Sequence, residues 1–175
     1  MTLREKYGEW GIILGATEGV GKAFCERLAK EGMNVVMVGR REEKLKELGE
    51  ELKNTYEIDY KVVKADFSLP DATDKIFAAT ENLDMGFMAY VACLHSFGKI
   101  QDTPWEKHEA MINVNVVTFM KCFYHYMKIF AAQDRGAVIN VSSMTGISSS
   151  PWNGQYGAGK AFILKMTEAV ACETE

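Results

Sequence analysis

The sequence predicts an α/β fold, a doubly wound parallel sheet with helices on both faces, and three observations carry that prediction. Short apolar runs rich in Val, Ile, Met and Phe alternate with longer amphipathic stretches along the whole chain. The apolar runs lack polar alternation, as strands do when both faces of a sheet are covered. Strand followed by helix, repeated, joins parallel neighbours through right-handed crossovers. With 175 residues, 47% hydrophobic, 25% charged and 3 Pro, the composition is that of one globular domain, 1–175. No linker, internal repeat or low-complexity segment marks a boundary.

The elements follow in order. Trp10–Leu14 reads as the first strand and leads through a glycine-rich turn into a helix from Val20 to Lys30. Asn34–Val38 is the second strand, and in the following helix, Arg41–Asn54, Leu45, Leu48 and Leu52 recur at the three-and-four spacing of a buried stripe. Tyr60–Ala65 and Asp71–Thr80 form the third strand and helix. Met85–Ala92 is the fourth strand, followed by a long helical pattern, Thr103–Ala132, with room for a break. Gly136–Val141 and Gln155–Cys172 are the last strand and helix. The ending, Thr167 to Glu175, has no Gly, Asn or Pro stop and places acids where a helix dipole favours bases. It reads as cut rather than finished, which leaves two alternatives: a C-terminally truncated piece of a longer polypeptide, or a polypeptide that is itself shortened.

Composition removes several function classes. With 20 Lys+Arg against 24 Asp+Glu there is no basic excess for counterion release, so a nucleic-acid partner is not expected. The longest apolar run, Met85 to Leu94, is 10 residues, against the ~20 a bilayer requires, and the N-terminus lacks the order of a signal peptide. No membrane span and a cytoplasmic location are therefore expected. The 4 cysteines show no Cys-x-x-Cys pair and read as reduced packing thiols, and His95, His108 and His125 lack metal-ligand spacing.

The chemistry begins at Gly15-Ala-Thr-Glu-Gly19-Val-Gly21, between the first strand and the first helix. A dinucleotide pyrophosphate would meet backbone N–H groups there, at a helix N-terminus. Gly15, Thr17, Glu18, Gly19, Val20 and Gly21 are thus candidate cofactor-binding residues; a tight turn with close helix–strand packing is the alternative for the same glycines. A nucleoside-triphosphate loop is excluded, because Ala23 follows Gly21-Lys22 where a magnesium-holding hydroxyl is required and Ala16 stands where that loop needs Gly. The second strand ends in Gly39-Arg40-Arg41, with no acid before Glu42 to accept from a ribose 2′-hydroxyl. Two guanidiniums suit a 2′-phosphate, which favours NADP(H) over NAD(H) as the cofactor; the alternative is that Arg40 and Arg41 merely open a solvated helix. Asp66, past the third strand, either accepts from an adenine amino group or caps the turn into Ser68-Leu69-Pro70.

Tyr156-Gly-Ala-Gly-Lys160 sets a phenol and an ammonium four residues apart, on one face of a helix. A phenol with pKa about 10 is a poor proton-transfer group near neutrality, and lowering it by two or three units takes roughly 3 to 4 kcal/mol. A cation near 4 Å supplies about that much at an effective dielectric of about 20. Alone, the pair is commonly a surface feature. Ser143, thirteen residues earlier, stands at the carboxyl end of the last strand, where open α/β sheets bind ligands, and its neighbour Ser142 should point the other way.

The glycine turn, the Asn-Val-Ser-Ser strand end and Tyr156-x-x-x-Lys160, in this order and spacing, resemble the short-chain dehydrogenase/reductase family over essentially the whole chain. The opening from Tyr7 to Ala23 is similar to members acting on hydroxysteroids and 3-oxoacyl thioesters. The resemblance implies a Rossmann-like fold in which Tyr156 is the general acid/base, Lys160 lowers its pKa and binds the nicotinamide ribose, and Ser143 hydrogen-bonds the reacting carbonyl. It also implies that Asn115 holds a water in the proton relay; a buried Asn bonded to backbone is the alternative for that residue. Homo-oligomers packed through the long helix and the Tyr156 helix are implied too, with Met120, Phe123 and Met127 on such a face or in the core.

Three features depart from the family pattern. Leu14 precedes Gly15 where the family has Thr. Tyr90-Val91-Ala92-Cys93 replaces Asn-Asn-Ala-Gly, so Ala92 remains a cofactor-wall residue while Cys93 crowds that wall. The family's C-terminal strand, helix and strand do not follow. The expected function is an NADP(H)-dependent oxidoreductase interconverting a small-molecule ketone and a secondary alcohol. The alternative is a non-catalytic dinucleotide-binding relative acting as a sensor or subunit.

Overall fold

In the computed structural model, which describes residues 1–173, five parallel strands form one sheet in the order β3-β2-β1-β4-β5. The strands are β1 (Trp10–Leu14), β2 (Asn34–Gly39), β3 (Tyr60–Lys64), β4 (Met85–Tyr90) and β5 (Ala137–Asn140). Because β1 sits at the centre, paired with β2 from Trp10↔Asn34 to Leu14↔Val38 and with β4 on its other edge, the winding reverses between β1 and β4. A crevice opens above the carboxyl ends of strands at such a reversal.

Alternation along β1 divides the core in two. Ile12 and Leu14 face a cluster with Met88, Tyr90, Phe119 and Tyr126, whereas Ile13 faces Leu28, Leu45, Leu52 and Phe87 on the opposite side. The helices supplying these layers are α2 (Gly19–Lys30), α3 (Glu42–Tyr56), α4 (Ala72–Thr80), α5 (Trp105–Ile112), α6 (Phe119–Ala132) and α7 (Gly154–Glu173). Every residue of β2 and β4 is buried, which explains why these strands read as unbroken apolar runs. Ile139 of the edge strand β5 is 41% exposed.

The expected elements are present with shifted ends. The fourth strand stops at Tyr90 rather than Ala92, because the Val91 and Ala92 N–H groups both turn to the Leu14 carbonyl, at 2.8 and 2.7 Å. The long helix breaks where Asn113–Thr118 widens into a π-helical segment between α5 and α6. A short helix, α1 (Leu3–Tyr7), was not expected: five residues carry too little periodicity, although Thr2 and Glu5 form a capping box around its start. Phe123 belongs to the core, and Met120 and Met127 are partly buried and pack against that core. Residues 174 and 175 of the acidic ending lie outside the described residues. Among the described residues, no helix is long and apolar enough to cross a membrane.

Candidate active site

The turn after β1 is shaped by close approach of main chain to main chain. Gly15, at φ 99°, donates its N–H to the Val38 carbonyl at 3.0 Å, and a Cβ there would come within 2.6 Å of the Ala92 nitrogen. A Cβ on Gly21 would overlap the Gly15 carbonyl oxygen, so α2 rests directly on the turn. Leu14, in place of Thr, costs this loop a hydroxyl, yet Gly15 and Ala16 both remain tied to Val38. At the N-terminus of α2, Glu18 gives no side-chain cap and the first turn holds no acid. The uncapped N–H groups and their dipole therefore face the crevice without a competing carboxylate bonded to them, which fits an anionic phosphate.

That crevice is a cleft of about 390 Å³. It gathers Gly15, Thr17, Glu18, Val20, Arg40, Arg41, Asp66, Ala92, Tyr156 and Lys160, together with Cys93 and Ser142. Gly19 and Gly21 lie in the turn behind it, and Asn115 and Ser143 do not line it. At its mouth, Arg41 pairs with Glu18 at 2.8 Å, and this guanidinium holds the Glu18 carboxyl below its usual range. Asp66 caps the next turn, accepting from the Ser68 N–H at 3.0 Å and the Ser68 hydroxyl at 2.7 Å. Burial pushes the Asp66 carboxyl up, but the Ser68 bonds and the Arg40 charge outweigh it and leave it lowered.

Beyond β5 the chain passes under α7. Ser142 donates to the Lys160 carbonyl at 2.8 Å, and the Lys160 ammonium donates to the Val141 carbonyl at 2.7 Å. Ser142 thus lines the cleft, whereas it was expected to turn away. Ser143 caps a short 3₁₀ turn, accepting from the Thr145 N–H at 3.2 Å and the Thr145 hydroxyl at 3.0 Å. The Tyr156 phenol interacts with both Ser143 and Cys93. Burial raises its pKa, Cys93 adds to the rise, and Ser143 acts in the opposite direction. The sequence argument had the lysine pulling the phenol down; here the ammonium lies 5.8 Å from the ring centroid, committed to Val141, and burial lowers its own pKa.

The family profile described as short chain dehydrogenase matches residues 9–175. This chain belongs to the short-chain dehydrogenase family. It is 83% identical over 175 residues to a 7beta-hydroxysteroid dehydrogenase of Collinsella aerofaciens, covering 100% of this chain and 66% of that protein. It is 46% identical over 173 residues to a 7beta-hydroxysteroid dehydrogenase of Clostridium sardiniense, covering 99% of this chain and 66% of that one. The chain thus spans about two thirds of the length of these relatives. A solved structure described as giving insights into 7beta-hydroxysteroid dehydrogenase stereoselectivity superposes with TM-score 0.99 at 83% identity, covering 100% of this chain and 68% of that one. A short-chain dehydrogenase from Sphingobium yanoikuyae in complex with NADPH shares the fold, with TM-score 0.89 at 24% identity, over 94% of this chain and 65% of its own.

In this short-chain dehydrogenase, Asn115 is 1% exposed and its amide is spent on Leu94, accepting from the Leu94 N–H at 3.1 Å and donating to its carbonyl at 2.6 Å. Its side chain is bonded to backbone, the alternative the sequence left open, and fixes the segment after Cys93. Tyr90, where the family has Asn, buries its phenol against the helix break and donates to the Val114 carbonyl at 2.6 Å. That contact could not be read from sequence, because nothing local fixes where within Thr103–Ala132 the helix breaks. Gly157 and Gly159 are a second omission. A Cβ on Gly157 would lie 2.7 Å from the Thr145 carbonyl, and one on Gly159 would lie 2.9 Å from the Asn115 Cβ. These two glycines between Tyr156 and Lys160 let α7 approach the Ser143 turn and the helix break, a signal that was present in the motif itself.

Proposed function

We propose that this chain is the nucleotide-binding and catalytic part of an NADP(H)-dependent oxidoreductase that interconverts a steroid ketone and its secondary alcohol. The observation that carries this reading is the convergence of Ser143, Tyr156 and Lys160 beside a cleft whose floor is built from glycine and main chain. The steroid is taken from the names of the relatives, and the chain's large exposed apolar residues near Tyr156, among them Phe97, Met144 and Trp152, suit such a body.

The turn from Gly15 to Gly21 would hold the pyrophosphate, and Arg40, with Arg41, the 2′-phosphate. When bound, the nicotinamide supplies or accepts the hydride. In the reducing direction Ser143 holds the carbonyl oxygen, and the Tyr156 hydroxyl, kept protonated by its surroundings, gives its proton to the emerging alkoxide. Lys160 would hold the ribose hydroxyls, and its charge stabilises the phenolate left behind. Asn115 acts as a positioning residue, through Leu94. A cytoplasmic homo-oligomer without a nucleic-acid partner completes the reading, and sedimentation tests the assembly.

The test uses the protein at the full length of its relatives. With a 7-oxosteroid and NADPH, Tyr156→Phe should lower turnover by about 10² to 10⁴, with NADPH affinity unchanged within about twofold. Undiminished turnover in the variant would remove the tyrosine mechanism. Nucleotide binding without reduction of any ketone by the unaltered protein would favour the sensor reading, which the thiol of Cys93 in the cleft wall otherwise motivates.

A further inference from the structure

A second cavity, of about 960 Å³, lies beside the nucleotide cleft and shares no lining residue with it. Three of its wall residues, from three separate segments, meet at one half-buried histidine. His108 on α5 turns its Nδ1 to the Gln155 side-chain oxygen and its Nε2 to the Ile100 carbonyl, at 3.1 Å. Ile100 opens a 3₁₀ turn, Ile100–Asp102, and Gln155 directly precedes Tyr156 in the first turn of α7. The imidazole therefore ties the Ile100 turn to the helical turn that carries the Tyr156 phenol.

Both partners of the ring are acceptors. A carbonyl oxygen has nothing to donate, and the Gln155 amide is fixed in orientation, because its Nε2 donates to the His108 carbonyl at 2.7 Å. Turning that amide over would set oxygen against oxygen. A neutral imidazole has one N–H and one lone pair, so it satisfies one of the two oxygens and turns a lone pair on the other; an imidazolium donates to both. Histidine is the side chain that exchanges these forms between about pH 5 and 8. The ionisable groups on the elements around it are Glu106, Lys107 and Glu109 on α5, Lys99 and Asp102 beside Ile100, and Tyr156 on α7, while His95 is turned to Tyr156. Among the described residues none of them forms an ion pair with His108, so its charge answers to the two oxygens. The segment has a second tether that does not titrate, the Gly98 N–H donating to the Trp152 carbonyl at 2.9 Å. Loss of the His108 proton thus frees the segment at Ile100 while Gly98 still holds it, and none of these residues lines the nucleotide cleft.

We infer that His108 is a positioning residue, which in its doubly protonated form clamps Ile100 to Gln155 and so holds the cavity wall beside Tyr156 in place for the ketone. The inference rests on the oxidoreductase reading and adds a regulation to it. The clamp is closed at acid pH and is lost as the pH rises, so the ketone binds more weakly in alkali while the nucleotide site is left as it was.

The experiment uses the protein at the full length of its relatives, saturated with NADPH, and follows reduction of a 7-oxosteroid from about pH 5 to about pH 8. KM for the ketone should rise about three- to tenfold across this range, the worth of one hydrogen bond. His108→Gln, which cannot titrate, should show the high KM at every pH, with NADPH affinity at each pH within about twofold of the unaltered protein. Nitrogen NMR of the His108 ring reads the clamp without turnover and covers the case in which the variant does not fold. Both ring nitrogens should carry slowly exchanging protons at acid pH, and one of these signals should vanish as the pH rises. Calorimetric binding of the same steroid to the protein–NADP⁺ complex separates the two readings. Absent turnover, with steroid affinity falling as the pH rises in the unaltered protein and not in His108→Gln, would sink the oxidoreductase reading and leave the clamp standing. A KM that is flat or falls with pH, a rise retained in His108→Gln, no steroid binding, or a ring that stays neutral at about pH 5 would overturn the clamp.

Discussion

The nucleotide cleft and the larger cavity beside it are built from different materials. The cleft's floor is main chain: Gly15 against Ala92, Gly21 against Gly15, and paired N–H groups turned onto Leu14 and Val38. The cavity's wall is side chain, with Ile100 76% exposed, Trp105 65% and Trp152 64%. Main chain cannot change shape without breaking hydrogen bonds of the sheet, so it suits a ligand that never varies, such as a pyrophosphate. Large side chains repack at modest cost, so they suit the part of the reaction that differs between relatives.

The strongest challenge to this contrast is a single methyl group. Gly21→Ala places a Cβ on the Gly15 carbonyl oxygen, where the obstacle is backbone and cannot swing away. We expect a loss of about 1 to 3 kcal/mol in stability and at least tenfold weaker NADPH binding, seen by denaturant unfolding and fluorescence titration. An equally small change in the cavity, Ile112→Val, should leave nucleotide binding untouched. If Gly21→Ala binds NADPH normally, the floor is less rigid than its contacts imply.

This division also decided what was legible. The glycine turn was readable because a backbone conformation leaves a residue-type signature: only Gly tolerates φ 99° against Ala92. Strands β2 and β4 were readable because both faces are buried, and the end of β4 erred where the chain turned to satisfy Leu14. The role of Tyr90 was not readable and that of Asn115 was left between two alternatives, since both depend on a π-helical segment whose place the six ordinary residues Asn113–Thr118 do not announce. The place of His108 was not readable for a similar reason. It stands 47 residues from Gln155, and the two meet only once α5 and the start of α7 have packed.

Tyr156 stands where the two regions meet, and its titration tests the boundary. Alcohol oxidation requires the phenolate, so kcat/KM for the alcohol should rise about tenfold per pH unit below the phenol's pKa and level off above it. Ketone reduction requires the phenol and should be flat, then fall, over the same range. After burial, Cys93 is the largest influence raising this pKa, so Cys93→Ala should move both limbs to lower pH. A limb that stays put or moves to higher pH would show that the thiol does not act on the phenol during catalysis.

The smallest effect is expected at the rim of the cleft, where the main-chain floor gives way to side chains. Arg40 and Arg41 are adjacent in sequence, but Arg41 is already paired with Glu18 at 2.8 Å, while Arg40 acts on Asp66 without a direct ion pair to it. A guanidinium that must exchange a carboxylate for a phosphate gains less than one coming from solvent, because the first interaction is given up as the second forms. Arg40→Ala should therefore weaken NADPH about 10- to 100-fold, as expected for loss of a charge-assisted hydrogen bond, whereas Arg41→Ala should cost only a few-fold. Glu18→Gln, which frees Arg41, should tighten NADPH by a similar few-fold and leave NADH unchanged. Equal losses from the two arginines, or an NADH response matching that of NADPH, would mean that neither is read through a 2′-phosphate in the way the rim geometry implies.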